Sequence, residues 1–176
     1  MAVAKPSSQV LLNPSGSVSF IDVPQIREIK KPFYSDLNLG EEIAMIKGSC
    51  CCGTVQFELT EVPSMMGTCH CSRCRKVGAS TLVFVKSESF QITQGRDQIS
   101  IYKAESPYKY DRCFCSVCGS ALGEVLSEED SFPLAANCID GDIGLENSFH
   151  EFIAEKPNWL KIGDMAKQFD QHPTKA

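Results

Sequence analysis

The sequence predicts a mainly β fold of antiparallel sheets with few short helices. Val55, Phe57 and Leu59 alternate with polar residues, and this period of two gives a strand one buried face and one solvated face. Short apolar runs recur about every ten residues, with turn-forming residues between them. Because long helical patterns are lacking, these observations together favour an antiparallel β domain.

The predicted elements begin with an N-terminal extension, residues 1–43. Its apolar stretches at residues 10–12 and 18–21 flank turn residues and predict a hairpin, with a mobile arm as the alternative. The β domain covers residues 44–170, and residues 171–176 form a tail. Strands are predicted at residues 54–60, 82–85, 90–92, 99–102, 108–115, 121–126, 134–139 and 149–154, and a helix only at residues 164–169.

Composition and charge limit the possible functions. A chain of 176 residues that is 43% hydrophobic has enough apolar material for one globular core. Its net charge of -5 leaves no broad basic surface for phosphates, which excludes nucleic acid as the main partner. No apolar run approaches the ~20 residues of a membrane helix, and the first residues lack a signal peptide's apolar segment. We therefore expect a cytoplasmic protein with no membrane partner.

Nine of the ten cysteines fall into three tight groups. In a reducing compartment such thiols do not make a disulfide framework, so metal binding is the better explanation. The groups are Cys50, Cys51 and Cys52, then Cys69, Cys71 and Cys74, then Cys113, Cys115 and Cys118.

The outer groups predict a structural zinc site with four thiolate ligands. Cys50 and Cys52 precede a glycine, as do Cys115 and Cys118, and two such pairs complete a tetrahedral site. Closing the loop between the pairs costs on the order of 4 kcal/mol, whereas structural zinc binding contributes roughly 10 to 16 kcal/mol. A redox pair of the thioredoxin type is the alternative, but it would need a βαβ context that the sequence lacks.

The central group predicts a different site, because Cys69, Cys71 and Cys74 supply only three ligands. A zinc ion held in this way keeps one position open, and a substrate thiol bound there would become a nucleophilic thiolate. Three alternatives would close the position and make the site structural: ligation by His70, Cys113 or Cys138. Cys51 and Cys113 are otherwise expected to be small buried apolar residues.

Three cysteine motifs resemble the glutathione-dependent formaldehyde-activating enzyme family, which also includes centromere protein V. They are Gly48-Ser49-Cys50-Cys51-Cys52-Gly53-Thr54-Val55, Cys69-His70-Cys71-Ser72-Arg73-Cys74-Arg75-Lys76 and Phe114-Cys115-Ser116-Val117-Cys118-Gly119-Ser120. The resemblance covers residues 45–169. It implies several coiled sheets in one zinc-stabilised domain, with a structural zinc on Cys50, Cys52, Cys115 and Cys118 and a catalytic zinc on Cys69, Cys71 and Cys74. The implied reaction is condensation of glutathione with formaldehyde, a carbon-sulfur lyase reaction in reverse.

Residues beside the central group are candidates for substrate binding. Arg73, Arg75 and Lys76 could hold the carboxylates of a glutathione-like thiol, or could simply offset thiolate charge. His150 is either a proton shuttle or a structural residue, and Trp159 is expected to pack against the sheet.

The leading hypothesis is a zinc enzyme that adds a thiol to an aldehyde or related electrophile. A non-catalytic zinc-stabilised binding module is the alternative, and a homo-oligomer remains open in either case.

Overall fold

The structure, a computed structural model, describes residues 9–12, 18–21, 45–106 and 108–173. The chain divides into two compact units, Met1–Glu41 and Glu42–Ala176. In the first unit, Gln9–Leu12 (β1) pairs antiparallel with Val18–Ile21 (β2). The turn of the expected hairpin, residues 13–17, lies outside the described residues, as does most of the N-terminal extension. The domain boundaries near residues 43 and 170 stay predictions.

The described part of the second unit has eleven strands and one short α-helix, which confirms the mainly β prediction. The strands are Ile46–Ser49 (β3), Gln56–Leu59 (β4), Met65–Cys69 (β5), Thr81–Lys86 (β6), Phe90–Gln94 (β7), Ile99–Tyr102 (β8), Arg112–Cys115 (β9), Ala121–Gly123 (β10), Ser131–Ala135 (β11), Asn147–Glu151 (β12) and Lys167–Gln168 (β13), and the helix is Ser72–Lys76 (α1). Across the described ranges, no helix is both long enough and apolar enough to cross a membrane.

These strands form two sheets. One has the order β3-β4-β7, and the other has the order β13-β12-β5-β6-β11-β10-β9-β8. Most ladders are antiparallel, as predicted, but β12 pairs parallel with both β5 and β13. Because β5 and β12 are far apart in sequence, the connection between them is long enough for a parallel pair.

One apolar core contains residues from both sheets. Phe57 and Leu59 of β4 are buried in it together with Val83 of β6 and Leu134 of β11. The alternation predicted for residues 54–60 is therefore confirmed. Apolar side chains from both sheets share this core, which positions the cysteine-bearing turns.

The helix predicted at residues 164–169 is wrong. Within this segment lies the strand β13, and the Phe169 N–H donates to the His150 carbonyl at 2.8 Å. The Phe169 carbonyl in turn accepts from the Ile153 N–H at 3.1 Å. Since these backbone groups are satisfied by β12 and the residues after it, tertiary pairing overrides the local helical pattern.

Candidate metal centres and active site

The outer cysteines meet in space. The sulfurs of Cys50, Cys52, Cys115 and Cys118 all lie within 4.8 Å of one another. The Cys50 and Cys52 sulfurs are 3.5 Å apart, and the Cys52 and Cys115 sulfurs are 4.0 Å apart. Four sulfurs around a tetrahedral zinc, each about 2.3 Å from it, would be about 3.8 Å apart. The donor set and its spacing fit zinc, and we call these four residues the outer cluster.

Two tight turns build the outer cluster. One turn joins β3 to β4 and the other joins β9 to β10, and each contains a glycine with positive φ, 73° at Gly53 and 75° at Gly119. Only glycine adopts this conformation without strain. The Val55 N–H donates to the Cys50 sulfur at 3.2 Å. Since β3 and β4 belong to one sheet and β9 and β10 to the other, the outer cluster connects the two sheets.

The local environment favours thiolates on the exposed side of the outer cluster. A hydrogen bond with the Ser120 hydroxyl lowers the pKa of Cys118 to about 5, and one with the Thr54 hydroxyl lowers the pKa of Cys52. Burial instead raises the pKa of Cys115 to about 11. A bound cation would therefore be needed to hold all four sulfurs as thiolates.

The expectation that Cys51 is buried is wrong. Cys51 is exposed, because it lies in the turn after β3 and not on a strand, and its N–H donates to the Ser120 hydroxyl at 2.9 Å. Cys113 lies on β9 and is 1% exposed, as expected.

The central cysteines form a second group, here called the central cluster. Cys69 ends β5, Cys71 is the N-cap of α1, and Cys74 lies within that helix. Their sulfurs are within 4.8 Å of one another, and all three residues are buried. The Cys74 N–H donates to the Cys71 sulfur at 3.4 Å, so a thiol occupies the usual place of a capping oxygen. Hydrogen bonds from Cys69 and Cys74 lower the pKa of Cys71.

No fourth cysteine, histidine or carboxylate joins the central cluster within the described ranges. His70 instead hydrogen-bonds to His150, with 2.9 Å between Nε2 and Nδ1. The Cys138 thiol donates to the Ala121 carbonyl at 3.1 Å, and Cys113 is buried in the main core. None of the three residues considered as a fourth ligand therefore joins the central cluster.

Arg112 is a member of this site that sequence reasoning missed. It is 5% exposed, and its Nη2 donates to the Cys74 sulfur at 3.1 Å. A buried guanidinium next to three thiols offsets the negative charge that they carry as thiolates. No local sequence signal marks Arg112, because Lys109 and Asp111 in the same predicted strand are charged as well.

A cavity of about 550 Å³, here called the sulfur cavity, opens onto Cys69 and Cys71. Its other described lining residues are Arg73, Tyr108, Lys109, Tyr110, Phe152, Glu155, Gln171, His172 and Pro173. The Arg73 guanidinium lies 4.1 Å from the centre of the Tyr108 ring and donates to the Tyr110 carbonyl at 2.8 Å. Arg73 is thus held beside the two sulfurs, and its role in substrate binding stays a prediction.

Backbone strain occurs beside the same sulfurs. Phe152 packs against the central cluster and has a φ of 55°, a left-handed conformation that costs a bulky residue on the order of 1 kcal/mol. Next to it, a Glu155 carboxylate oxygen accepts from the Ser72 N–H at 2.9 Å and anchors the start of α1.

Arg75 and Lys76 lie elsewhere, on a separate cavity of about 520 Å³. Trp159 also lines that cavity and is 75% exposed, so the expectation that it packs against the sheet is wrong. Trp159 follows the last 3₁₀ turn, in a segment outside the strands. The three basic residues predicted as one group are therefore divided between two cavities.

His150 belongs to a series of hydrogen-bonded side chains that runs from buried His70 to exposed Asp164. Its Nδ1 faces His70, and its Nε2 lies 2.9 Å from the Asp164 carboxylate. Burial lowers the pKa of His70, whereas the hydrogen bond with His150 lowers the pKa of Asp164. These hydrogen bonds connect the residue after β5, β12 and the segment before β13, and both roles considered for His150, structural residue and proton shuttle, stay predictions.

The fold and its two cysteine clusters define a β domain that could hold metal ions on thiolates. Residues 45–155 match the family described as glutathione-dependent formaldehyde-activating enzyme, and the chain belongs to this family. The resemblance drawn from the cysteine motifs is confirmed.

Individual relatives match over part of the chain. A Halomonas elongata protein that carries the family's name is 34% identical over 85 residues, which are 44% of this chain and 54% of that protein. The chain thus matches about half the length of this relative. A crystal structure of a Rhodobacter sphaeroides protein matches with a TM-score of 0.46 and 23% identity, over 55% of this chain and 89% of that one.

Proposed function

We propose that this chain is a zinc-dependent enzyme of the carbon-sulfur lyase class that adds a thiol such as glutathione to an aldehyde such as formaldehyde. The observation that carries the proposal is the central cluster, whose three cysteines have no fourth metal-ligating residue beside them among the described residues and of which Cys69 and Cys71 line the sulfur cavity. Three ligands and an open position are typical of catalytic zinc. The reaction belongs in the cytoplasm, where glutathione is kept reduced.

Two zinc ions per chain have separate roles in this proposal. The outer cluster would hold a structural ion. An ion on Cys69, Cys71 and Cys74 would supply positive charge that lowers the pKa of a substrate thiol.

The chain's own residues bind and orient the thiol. Arg73 and Lys109 place two positive charges on the wall of the sulfur cavity, where they would bind the carboxylates of a glutathione-like thiol. Arg112 keeps the Cys74 sulfur in position through its hydrogen bond. Arg75, Lys76 and His150 lie outside the described lining of this cavity, so we give them no contact with the thiol.

The bond changes balance without a further reactant. A sulfur electron pair forms the carbon-sulfur bond at the carbonyl carbon, the carbonyl π pair moves to oxygen, and the oxygen takes a proton. The thiol loses one proton and the alkoxide gains one, so neither an oxidant nor a reductant is needed. The product is a hemithioacetal.

The test measures hemithioacetal formation from glutathione and formaldehyde by NMR exchange spectroscopy. A thiol with a pKa of about 8.5 is only about 3% thiolate at pH 7, so full deprotonation would accelerate addition about 30-fold. We expect acceleration by wild type and by Cys51→Ser, which changes an exposed thiol in neither cluster. Cys69→Ser and Cys74→Ser should give none. Equal rates with wild type and Cys69→Ser across several thiols and aldehydes would favour the binding module instead.

A further inference from the structure

The large sheet has apolar side chains on both faces. Val83 and Val85 of β6 point into the main core, whereas Leu82 and Phe84 lie on the opposite face, here called the back face. An antiparallel sheet commonly leaves one face to water. Here the back face forms a groove of about 810 Å³, and its apolar lining residues include Met65, Leu82, Phe84, Pro133, Phe149 and Phe169.

Packed aromatic rings form the floor of this groove. Phe149 lies over Gly67, where a β-carbon would come within 2.3 Å of the ring. The Phe149 ring centre is 6.5 Å from that of Phe84 and 6.5 Å from that of Phe169. Because Gly67 has no side chain, the tip of the Phe149 ring can lie directly against β5 and contribute to the apolar floor of the groove.

The groove adjoins the sulfur cavity. Lys109, Tyr110, His172 and Pro173 line both. The sulfur cavity and the groove therefore lie side by side, separated by no more than these shared residues. The chemistry of the two linings differs, since Arg73 lies only in the sulfur cavity and the groove is mainly apolar, although Lys109, Glu151 and Lys167 also line it.

We propose that the groove binds the hydrocarbon body of the electrophile, so that the substrates include aldehydes with an aliphatic or aromatic chain and are not limited to formaldehyde. This inference rests on the proposed function, because the charged sulfur cavity is assigned to the thiol. The step remains the balanced addition given above, with the aldehyde's chain lying in the groove.

Binding can be measured without any reaction. Calorimetry of the zinc-loaded full chain with 1-butanol, 1-hexanol and 1-octanol should show affinity rising up to about fourfold per methylene, as expected for buried CH₂ groups. Met65→Gln places an amide at the groove, at a residue that is 44% exposed, and should flatten this increase. Met165→Gln is the matched control, since Met165 is 99% exposed and is not among the described lining residues. Affinity that does not depend on chain length, or equal effects of both variants, would overturn the groove assignment.

Kinetics then connect the groove to the reaction. With glutathione as the thiol, kcat/KM for octanal should exceed that for propanal in wild type and in Met165→Gln, and the ratio should approach one in Met65→Gln. If wild type accelerates no aldehyde more than Cys69→Ser does, the proposed function fails. The alkanol titrations then still test the groove assignment by themselves. If all aldehydes are accelerated equally and alkanols do not bind, the function stands and the groove assignment fails.

Discussion

At the residue scale, the contact between Arg112 and Cys74 places a positive charge beside the sulfurs of the central cluster. Three thiolates close together repel one another, and a buried guanidinium that donates to one of them offsets part of that repulsion. A second guanidinium, that of Arg73, lies near Arg112. Burial and the positive charge of Arg112 both lower the pKa of Arg73. The charge balance of the site thus depends on a residue outside the cysteine motifs.

We expect Arg112→Met to weaken zinc binding at the central cluster about 10- to 100-fold, the usual effect of removing a residue that supports a metal ligand. Competition with a chromophoric chelator measures this affinity, and the charge-transfer band of the cobalt-substituted protein gives a second readout. Arg112→Lys should restore part of the affinity. Arg96→Met, at an exposed arginine, is the control. Unchanged zinc affinity in Arg112→Met would show that the contact has no influence on the metal.

The sequence predicted the cysteine groups but not Arg112, and the reason is physical. Cys69, Cys71 and Cys74 are close in the chain, so their spacing alone brings them together. Arg112 reaches Cys74 across 38 residues of sequence, through the packing of β9 beside α1. A single arginine in a strand has no local pattern that reveals such a partner.

At the element scale, polar contacts hold the parallel edge formed by β12 and β13. The Asp164 carboxylate faces His150, and it also accepts from Asn147 at 3.2 Å and from the Ala166 N–H at 3.0 Å. Met165 and Phe169 are four residues apart and imitate a helical face in the sequence. Because the partner strand comes from elsewhere in the chain, local spacing could not predict β13.

Asp164 should contribute stability that depends on pH. Its pKa is lowered from 3.8 in the folded chain, first by the hydrogen bond with His150. A carboxyl with a lowered folded pKa stabilises the fold above its unfolded value and loses this contribution as the pH falls through its folded pKa. Wild type should therefore unfold at a higher urea concentration than Asp164→Asn at pH 6, and the difference should shrink below about pH 3.8. A difference that stays constant down to pH 3 would contradict this role.

At the scale of the whole molecule, the outer cluster holds two sheets that meet through an apolar core. We expect two zinc ions per chain, and substitutions in the two clusters should differ in effect. Cys115→Ser should prevent folding because it leaves the connection between the sheets incomplete, while Cys71→Ser should fold and retain one zinc. Circular dichroism and metal analysis of the two purified variants distinguish these results. Equal folding of both variants would refute the separate roles.

Much of the global architecture was predictable from local signals. Alternation at Val55, Phe57 and Leu59 predicted β4 and its buried face, and the cysteine motifs predicted the family. The sheet order was not predictable, because the pairing of β5 with β12 depends on contacts between distant segments. The back face was not predictable either, because Phe149 and Leu82, which lie on it, belong to different strands.

The outer cluster also affects how readily a newly made chain is degraded in a cell. Its Cys52 and Cys115 sulfurs are 63 residues apart in sequence, so the cluster closes only after both sheets have begun to form. If the outer cluster binds a structural zinc as proposed, a newly made chain without that ion would remain open to proteases at that stage, since metal binding free energy is folding free energy in such a site. The steady-state abundance of the protein is therefore expected to follow the cellular zinc supply.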